Sequence, residues 1–222
     1  MKIAIIAAMS KELALLKSLV SDQSVINAGG IEFITGRMGR HDIVMSECGI
    51  GKVNAALCAN TVIEIFRPDL IINSGVAGGA NGGAGILDVV VADRVAYHDV
   101  WCGPGTNPGQ AAGCPQYFDC PIPAEAFDGL DIKRGLVASG DEFICRKDQL
   151  DKICATYTDV MAVDMESAAI AHVCYRKDVP FVCIRVISDT PGAADNISQY
   201  ENFWSDAPAH TFSTVRALID RL

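Results

Sequence analysis

Basic residues are scarce in this sequence. Its 18 lysines and arginines face 27 aspartates and glutamates across 222 residues, a formal net charge of −9. No basic run occurs anywhere, which excludes sequence-independent nucleic-acid binders, whose affinity needs a positive footprint. Long apolar runs are missing as well. Half of the residues are hydrophobic and the mean hydropathy is +0.25, yet no uninterrupted stretch approaches the roughly 20 residues that cross a bilayer, so no membrane partner is expected. The opening Met1 to Ala8 superficially resembles a signal peptide, but Lys11 and Glu12 break it too early, and it reads instead as the first strand of a sheet. The excess apolar content then points to an oligomer that buries part of its surface. The nine cysteines are odd in number and scattered, without a C-x-x-C pair, so neither a zinc site nor a disulfide framework fits. Cys58, Cys174 and Cys183 sit in apolar runs, where a thiol packs as a small hydrophobe. The reducing cytoplasm is the natural compartment.

What is present is an alternation of apolar runs and amphipathic segments. Strands are expected at Ile3 to Ala8, Ser24 to Ile26, Ile31 to Thr35, Ile43 to Glu47, Asp69 to Asn73, Leu87 to Tyr97, Leu136 to Ser139, Val160 to Val163 and Phe181 to Ile187. Helices are expected from about Ser10 to Val20, Lys52 to Phe66, Lys147 to Tyr157, Glu166 to Arg176 and Pro208 to Leu222. This mixture predicts a three-layer α/β/α sandwich around a central mixed sheet, one domain spanning residues 1–222. Residues His98 to Pro123, rich in Gly, Pro and Cys, have no periodicity; a segment of that length reads as a lid or an interface loop.

Three acids, Glu12, Glu166 and Asp189, each follow one of the apolar runs. Ligands of open α/β sheets bind beyond the carboxyl ends of the strands, so three distant segments can aim carboxyl groups at one pocket. Such a cluster suits acid/base chemistry on an uncharged polar substrate better than phosphate binding. The alternative is that the three are solvated acids at helix starts, offsetting the macrodipole. Asp164 lies two residues before Glu166; one of that pair points into the cleft while the other serves structure, and Asp164 also fits an N-cap. Arg185 interrupts an apolar strand and requires a carboxylate or ligand partner. His98, His172 and His210 lack metal spacing and read as surface or satisfied core histidines.

Two glycine-rich segments imitate nucleotide motifs. Cys48-Gly49-Ile50-Gly51-Lys52 has Ser46 where a phosphate loop needs glycine, and Val53 where it needs Ser or Thr. Gly75-Val76-Ala77-Gly78-Gly79 follows a strand, but Gly82-Gly83-Ala84-Gly85 leads into another strand rather than the helix that anchors a pyrophosphate. Small residues there let a flat ring or sugar lie against the backbone, or form a purely structural turn.

Taken in order, these segments resemble the 5′-methylthioadenosine/S-adenosylhomocysteine nucleosidases of the nucleoside phosphorylase superfamily. The matching stretches are Ile5 to Met9 with Glu12, Gly49 to Ala56, Pro68 to Gly79, Tyr97-His98-Asp99, Ser139-Gly140-Asp141 with Phe143-Ile144, Met165-Glu166, and Arg185 to Asp189. The resemblance implies an N-glycosidic hydrolase without metal or cofactor, acting on a small purine nucleoside. It implies that Glu12 activates water, that Glu166 and the Met165 backbone hold the ribose hydroxyls, and that Asp189, assisted by Ser188, protonates the purine. Phe143 stacks on the base, the Ile144 backbone bonds its edge, and Met9, Ile50 and Phe203 line the 5′ side. Val76, Ala77, Gly78, Asp164 and Arg185 complete the expected substrate-binding set. The resemblance further implies a homodimer in which a second subunit closes the 5′ pocket. This chain departs from the family pattern at Val76, where the family carries Ser, at Asp164, where it carries Glu, and in the loop Val100 to Gly105. A purine nucleoside phosphorylase, which requires arginines around phosphate, and a non-catalytic nucleoside sensor remain alternatives.

Overall fold

The segment Ile3 to Ala7 is uniformly apolar because both of its faces are covered. In the computed structural model, which describes residues 1–80, 83–206 and 208–222, it belongs to strand β1 (Lys2–Ala7). Successive side chains of a strand point to opposite faces. Ile3, Ile5 and Ala7 accordingly join one core cluster, and Ala4 and Ile6 join another. The chain continues through α1 (Ser10–Lys17), β2 (Ser21–Ala28), β3 (Ile31–Met38), β4 (His41–Glu47), α2 (Lys52–Phe66), β5 (Leu70–Gly79) and β6 (Val89–Tyr97). A long loop then leads to β7 (Phe118–Asp119), a 3₁₀ turn at Ala124–Phe127, β8 (Lys133–Ser139), α3 (Lys147–Thr156), β9 (Val160–Asp164), α4 (Ser167–Lys177), β10 (Phe181–Asp189), α5 (Asn196–Asp206) and α6 (Pro208–Arg221).

Helices α2 and α4 bury Ala55, Cys58, Val62, Ile170 and Cys174 against one face of the sheet. Helices α1 and α6 bury Leu13, Leu16, Val215 and Leu218 against the other. These are the three expected layers. Each fully buried Leu or Ile contributes roughly 1.5–3 kcal/mol of hydrophobic stabilisation.

The ten strands found among the described residues form one mixed sheet, in the order β10-β6-β8-β9-β5-β1-β4-β3-β2 with β7 beside β6. Strand β10 also pairs parallel to β5, and the tip of β5 pairs antiparallel to β9 through Gly78 and Gly79. Strands β5, β10, β6, β8 and β9 therefore close a ring at one end of the sheet. Glycine makes the closure sterically feasible. A Cβ on Gly78 would lie 2.7 Å from the Pro191 side chain, and one on Gly79 2.7 Å from the Ala84 carbonyl oxygen.

Several boundaries differ from the sequence reading. Strand β5 does not end at Asn73 but runs on through the glycine-rich stretch to Gly79, because that stretch is held between β9 and β10. Gly82 lies outside the described residues. Helix α1 ends three residues before Val20: the amides of Leu19 and Val20 bond back to the carbonyls of Leu16 and Lys17 at 3.1 and 3.3 Å, a tightening last turn. Helix α4 starts at Ser167, with Glu166 as its N-cap. Helix α5 was not anticipated at all. Among the described residues no helix is long and apolar enough to cross a membrane.

The long loop after β6 is tied down at Gly109. This residue has φ +79°, and a Cβ on it would fall 1.7 Å from the Tyr157 hydroxyl oxygen and 2.3 Å from the Tyr97 carbonyl oxygen. The Tyr157 hydroxyl donates to that carbonyl at 2.7 Å. Gly109→Ala combines a left-handed backbone penalty with overpacking, together roughly 2–4 kcal/mol. The expected outcome is a melting temperature lower by on the order of 5–15 °C, measured by differential scanning calorimetry; an unchanged value would show that the loop lifts away freely.

Candidate active site

Chain segments distant in sequence meet at the carboxyl ends of β1, β5, β9 and β10, as expected for ligand sites in α/β sheets. Between them lies a cleft lined by Met9, Glu12, Ile50, Val76, Ala77, Gly78, Phe143, Ile144, Asp164, Met165, Glu166, Ser188 and Asp189, together with Ala8, Glu142, Val163 and Tyr200. It holds about 620 Å³ of empty space including its open mouth. Among the described residues that line it, none is basic and five are acidic.

Glu12 occupies the first turn of α1 and bends back over the sheet. Its Oε2 accepts the Met9 amide at 2.9 Å and its Oε1 the Val76 amide at 3.0 Å. This approach requires Gly75, where a Cβ would come within 2.7 Å of Oε1. Burial pushes the Glu12 pKa up, partly offset by the Arg185 guanidinium and the backbone donors. The group is thus a stronger base than a solvated glutamate.

Asp189 is aimed by a bulge. The register of β10 on β5 slips between Ile187, opposite Ala77, and Asp189, opposite Gly78, which leaves Ser188 as the extra residue; bulges re-aim side chains in this way. The Ser188 hydroxyl donates to Asp189 Oδ1 at 2.6 Å, and Asn196 Nδ2 donates to Oδ2. Burial raises the Asp189 pKa and outweighs these two hydrogen bonds, which act in the opposite sense.

Glu166 and Asp164 divide the labour at the β9–α4 junction. Glu166 Oε1 accepts the Gly51 amide at 2.8 Å, and its pKa is raised to about 7 by burial first and by the neighbouring Asp164 charge second. Asp164 faces inward. It accepts hydrogen bonds from the Ser139 and Ser167 hydroxyls and pairs with Arg185 through Nε at 2.8 Å and Nη2 at 2.7 Å. It does not occupy the N-cap position of α4, which is Glu166, but its carboxylate still accepts the first amide of that helix, Ser167 N, at 3.3 Å.

The turn that imitates a phosphate loop is occupied by the protein's own acids. Gly51, at φ +95°, caps α2; its amide goes to Glu166 and the Lys52 amide goes to Asp141 Oδ1 at 2.8 Å. Carboxylates thus take the anion position at this helix start. The Lys52 ammonium is held by Asp99 at 2.6 Å.

Two expected residues do not reach the cleft. Arg185 is buried at 2% exposure and lies beneath the site, paired to Asp164 and bonded to Asn73 and Ser167. Phe203 belongs to the core cluster of Leu218 and Ile219 and packs perpendicular to Trp204 at 5.5 Å. Tyr200, one turn earlier on α5, faces the cleft instead, edge-on to Phe143 at 5.5 Å, with its hydroxyl 3.7 Å from Met9 Sδ. The sequence reading missed Tyr200, Asn196 and Glu142. The two aromatics at positions 200 and 203 were a visible signal, but which of them turns outward is decided by packing. His172 is satisfied by the Tyr97 hydroxyl and Cys114 Sγ, each at 3.1 Å. His98 differs from expectation: pressed onto Gly140, its Nε2 is buried without a partner. The side chain of His210 lies outside the described residues.

The raised Glu166 pKa has a consequence for stability. Its folded value near 7 lies above the ordinary 4.5, so its contribution is fully present below about pH 4.5 and is lost as pH rises through about 7. Glu166→Gln keeps an acceptor for Gly51 but cannot ionise. Relative to wild type, this variant is expected to gain roughly 1–3 kcal/mol between pH 5 and pH 8, read from urea denaturation at both values. A difference independent of pH would refute the assignment.

Comparison with known proteins agrees with this geometry. Residues 2–220 match the model of the phosphorylase superfamily. The S-adenosylhomocysteine nucleosidase of Streptococcus pyogenes, solved with 5-methylthiotubericidin, is 36% identical with a TM-score of 0.94, over 100% of this chain and 97% of that one. The 5′-methylthioadenosine/S-adenosylhomocysteine nucleosidase of Colwellia psychrerythraea, solved with adenine, is 34% identical with a TM-score of 0.94, over 100% and 96%. A futalosine hydrolase of Helicobacter pylori is 26% identical with a TM-score of 0.92, over 100% and 99%. With a family match from end to end, and a closed-ring sheet that brings Glu12, Glu166 and Asp189 to one cleft, this chain belongs to the phosphorylase superfamily, and to its nucleosidases.

Proposed function

We propose that residues 1–222 form one catalytic domain that hydrolyses the N-glycosidic bond of 5′-thio-substituted adenine nucleosides, releasing adenine and the free 5-thioribose. The observation that carries the choice of hydrolysis is the lining of the cleft, acidic and without a basic residue among those described. A phosphate nucleophile needs charge-assisted donors, and this cleft would repel it.

Chemically, the C1′–N9 bond breaks with its electron pair moving into the base. Asp189, whose pKa burial raises, delivers a proton to the purine ring. Glu12 takes a proton from the water whose oxygen attacks C1′. Glu166, with the Met165 backbone, holds the ribose hydroxyls, and nearby carboxylate charge favours the oxocarbenium-like transition state. Phe143, 44% exposed at the cleft, stacks on the base, with the Ile144 backbone at its edge. Met9, Ile50 and Tyr200 line the 5′ side. Val76 stands where the family pattern carries Ser, so this position gives Glu12 its backbone amide and no hydroxyl.

The decisive assay is base release from methylthioadenosine, adenosylhomocysteine, adenosine and inosine, with and without phosphate, for wild type, Glu12→Gln and Asp189→Asn. The expected result is a phosphate-independent rate, a free reducing sugar, and a loss of about 100- to 10,000-fold in each variant. A ribose 1-phosphate product would overturn hydrolysis, and near-normal turnover in either variant would overturn that residue's role.

We further infer a homodimer in the reducing cytoplasm. Ile50, Val53 and Leu57 expose an apolar stripe at the start of α2, and Trp101 in the long loop is 65% exposed; exposed patches of this kind mark interaction surfaces. All nine cysteines are free thiols, as a reducing compartment maintains. Light scattering is expected to give twice the chain mass for wild type and a shift toward monomer for Val53→Asp; a stable, fully active wild-type monomer at nanomolar concentration would refute the dimer.

A further inference from the structure

Asn196 opens α5 and is 3% exposed, yet it does not line the cleft. Its amide nitrogen Nδ2 donates to Asp189 Oδ2, while its Oδ1 is buried without a partner. A buried carboxamide that leaves its acceptor unpaired gains from its side chain only through the contact with Asp189. Ser188 holds the other carboxyl oxygen, Oδ1, at 2.6 Å. The carboxyl group is therefore gripped by one donor from β10 and one from α5, and its plane is fixed. An ionised carboxylate accepts hydrogen bonds at both oxygens, so both donors favour the state of Asp189 that exists after its proton has left.

We propose that Asn196 is a positioning residue that fixes the Asp189 carboxyl plane and stabilises the carboxylate formed as the proton passes to the departing base. The inference rests on Asp189 being the general acid. The titratable groups that share the cleft with Asp189 are Glu12 from α1, Glu142 from the loop after β8, Asp164 and Glu166 from the β9–α4 junction, and Tyr200 from α5. The carboxylates among them disfavour ionisation of Asp189, whereas Asn196 and Ser188 favour it.

The test is the pH dependence of kcat and kcat/KM for adenine release in wild type, Asn196→Ala, Asn196→Asp and Asp189→Asn. Activity requires protonated Asp189, so the alkaline limb reports its deprotonation. Removing the Asn196 donor is expected to move that limb to higher pH and to lower the plateau kcat by roughly 10- to 100-fold, with little change in KM. Asn196→Asp keeps the shape but sets a second carboxyl against Asp189, so the limb moves further in the same direction; it gives the reading if the alanine variant fails to fold. A folded variant whose limb stays at the wild-type position overturns the proposal, whether or not its plateau falls, because a purely structural role lowers the plateau alone. Asp189→Asn separates the two levels. Retained activity there removes the general-acid reading itself, whereas lost activity beside wild-type limbs in the Asn196 variants removes this inference alone.

Discussion

The guanidinium of Arg185 sits at 2% exposure in the interior of the sheet, and the geometry of the cleft depends on how it is satisfied. It binds Asp164 at the end of β9, Asn73 in β5 and Ser167 at the start of α4. Two strands that carry cleft residues, and the helix that begins directly after Glu166, are thereby referenced to one charge. Removing either member of such a pair strands the other in a low-dielectric interior, at a cost of roughly 3–5 kcal/mol. The pair also acts at a distance: its positive charge offsets part of the burial that raises the pKa of Glu12. Without it, the acidic cleft above would be harder to hold ionised.

That cleft concentrates carboxyl groups that ordinarily repel. The structure tolerates them because each has an assigned donor. Glu12 takes two backbone amides, Glu166 the amide of Gly51, and Asp189 the side chains of Ser188 and Asn196. Burial then raises the pKa of all three, and such displacement cheapens proton transfer near neutral pH. Glycine at positions 75 and 78 admits the approach of Glu12 and of the Pro191 turn to β5. Within the glycine-rich end of β5, these two positions serve close packing, while Val76, Ala77 and Gly78 also line the cleft.

Much of this was legible beforehand. Apolar runs such as Ile3 to Ala7 and Phe181 to Ile187 can only be buried strands in a chain with layered helices, and acids placed just after them fall at the ligand end of the sheet by topology alone. The need of Arg185 for a partner was equally plain, since an unpaired buried charge is prohibitive. Less legible was α5, whose two aromatics at 200 and 203 leave open which one faces the cleft; the core cluster around Leu218 claims Phe203 and leaves Tyr200 to the site.

The amino-acid order by itself determined the three layers and the acidic balance of the chain, and offered Glu12, Glu166 and Asp189 as candidates for one cleft, because these follow from local hydrophobicity, charge count and strand-end position. Only the tertiary structure decided the closure of the ring at Gly78 and Gly79, the bulge at Ser188, and the partners of each carboxylate. The physical reason is range. The bond from Gly51 to Glu166 spans 115 residues and that from Lys52 to Asp141 spans 89, so no local pattern encodes them, and they exist only once the register between distant strands has been set.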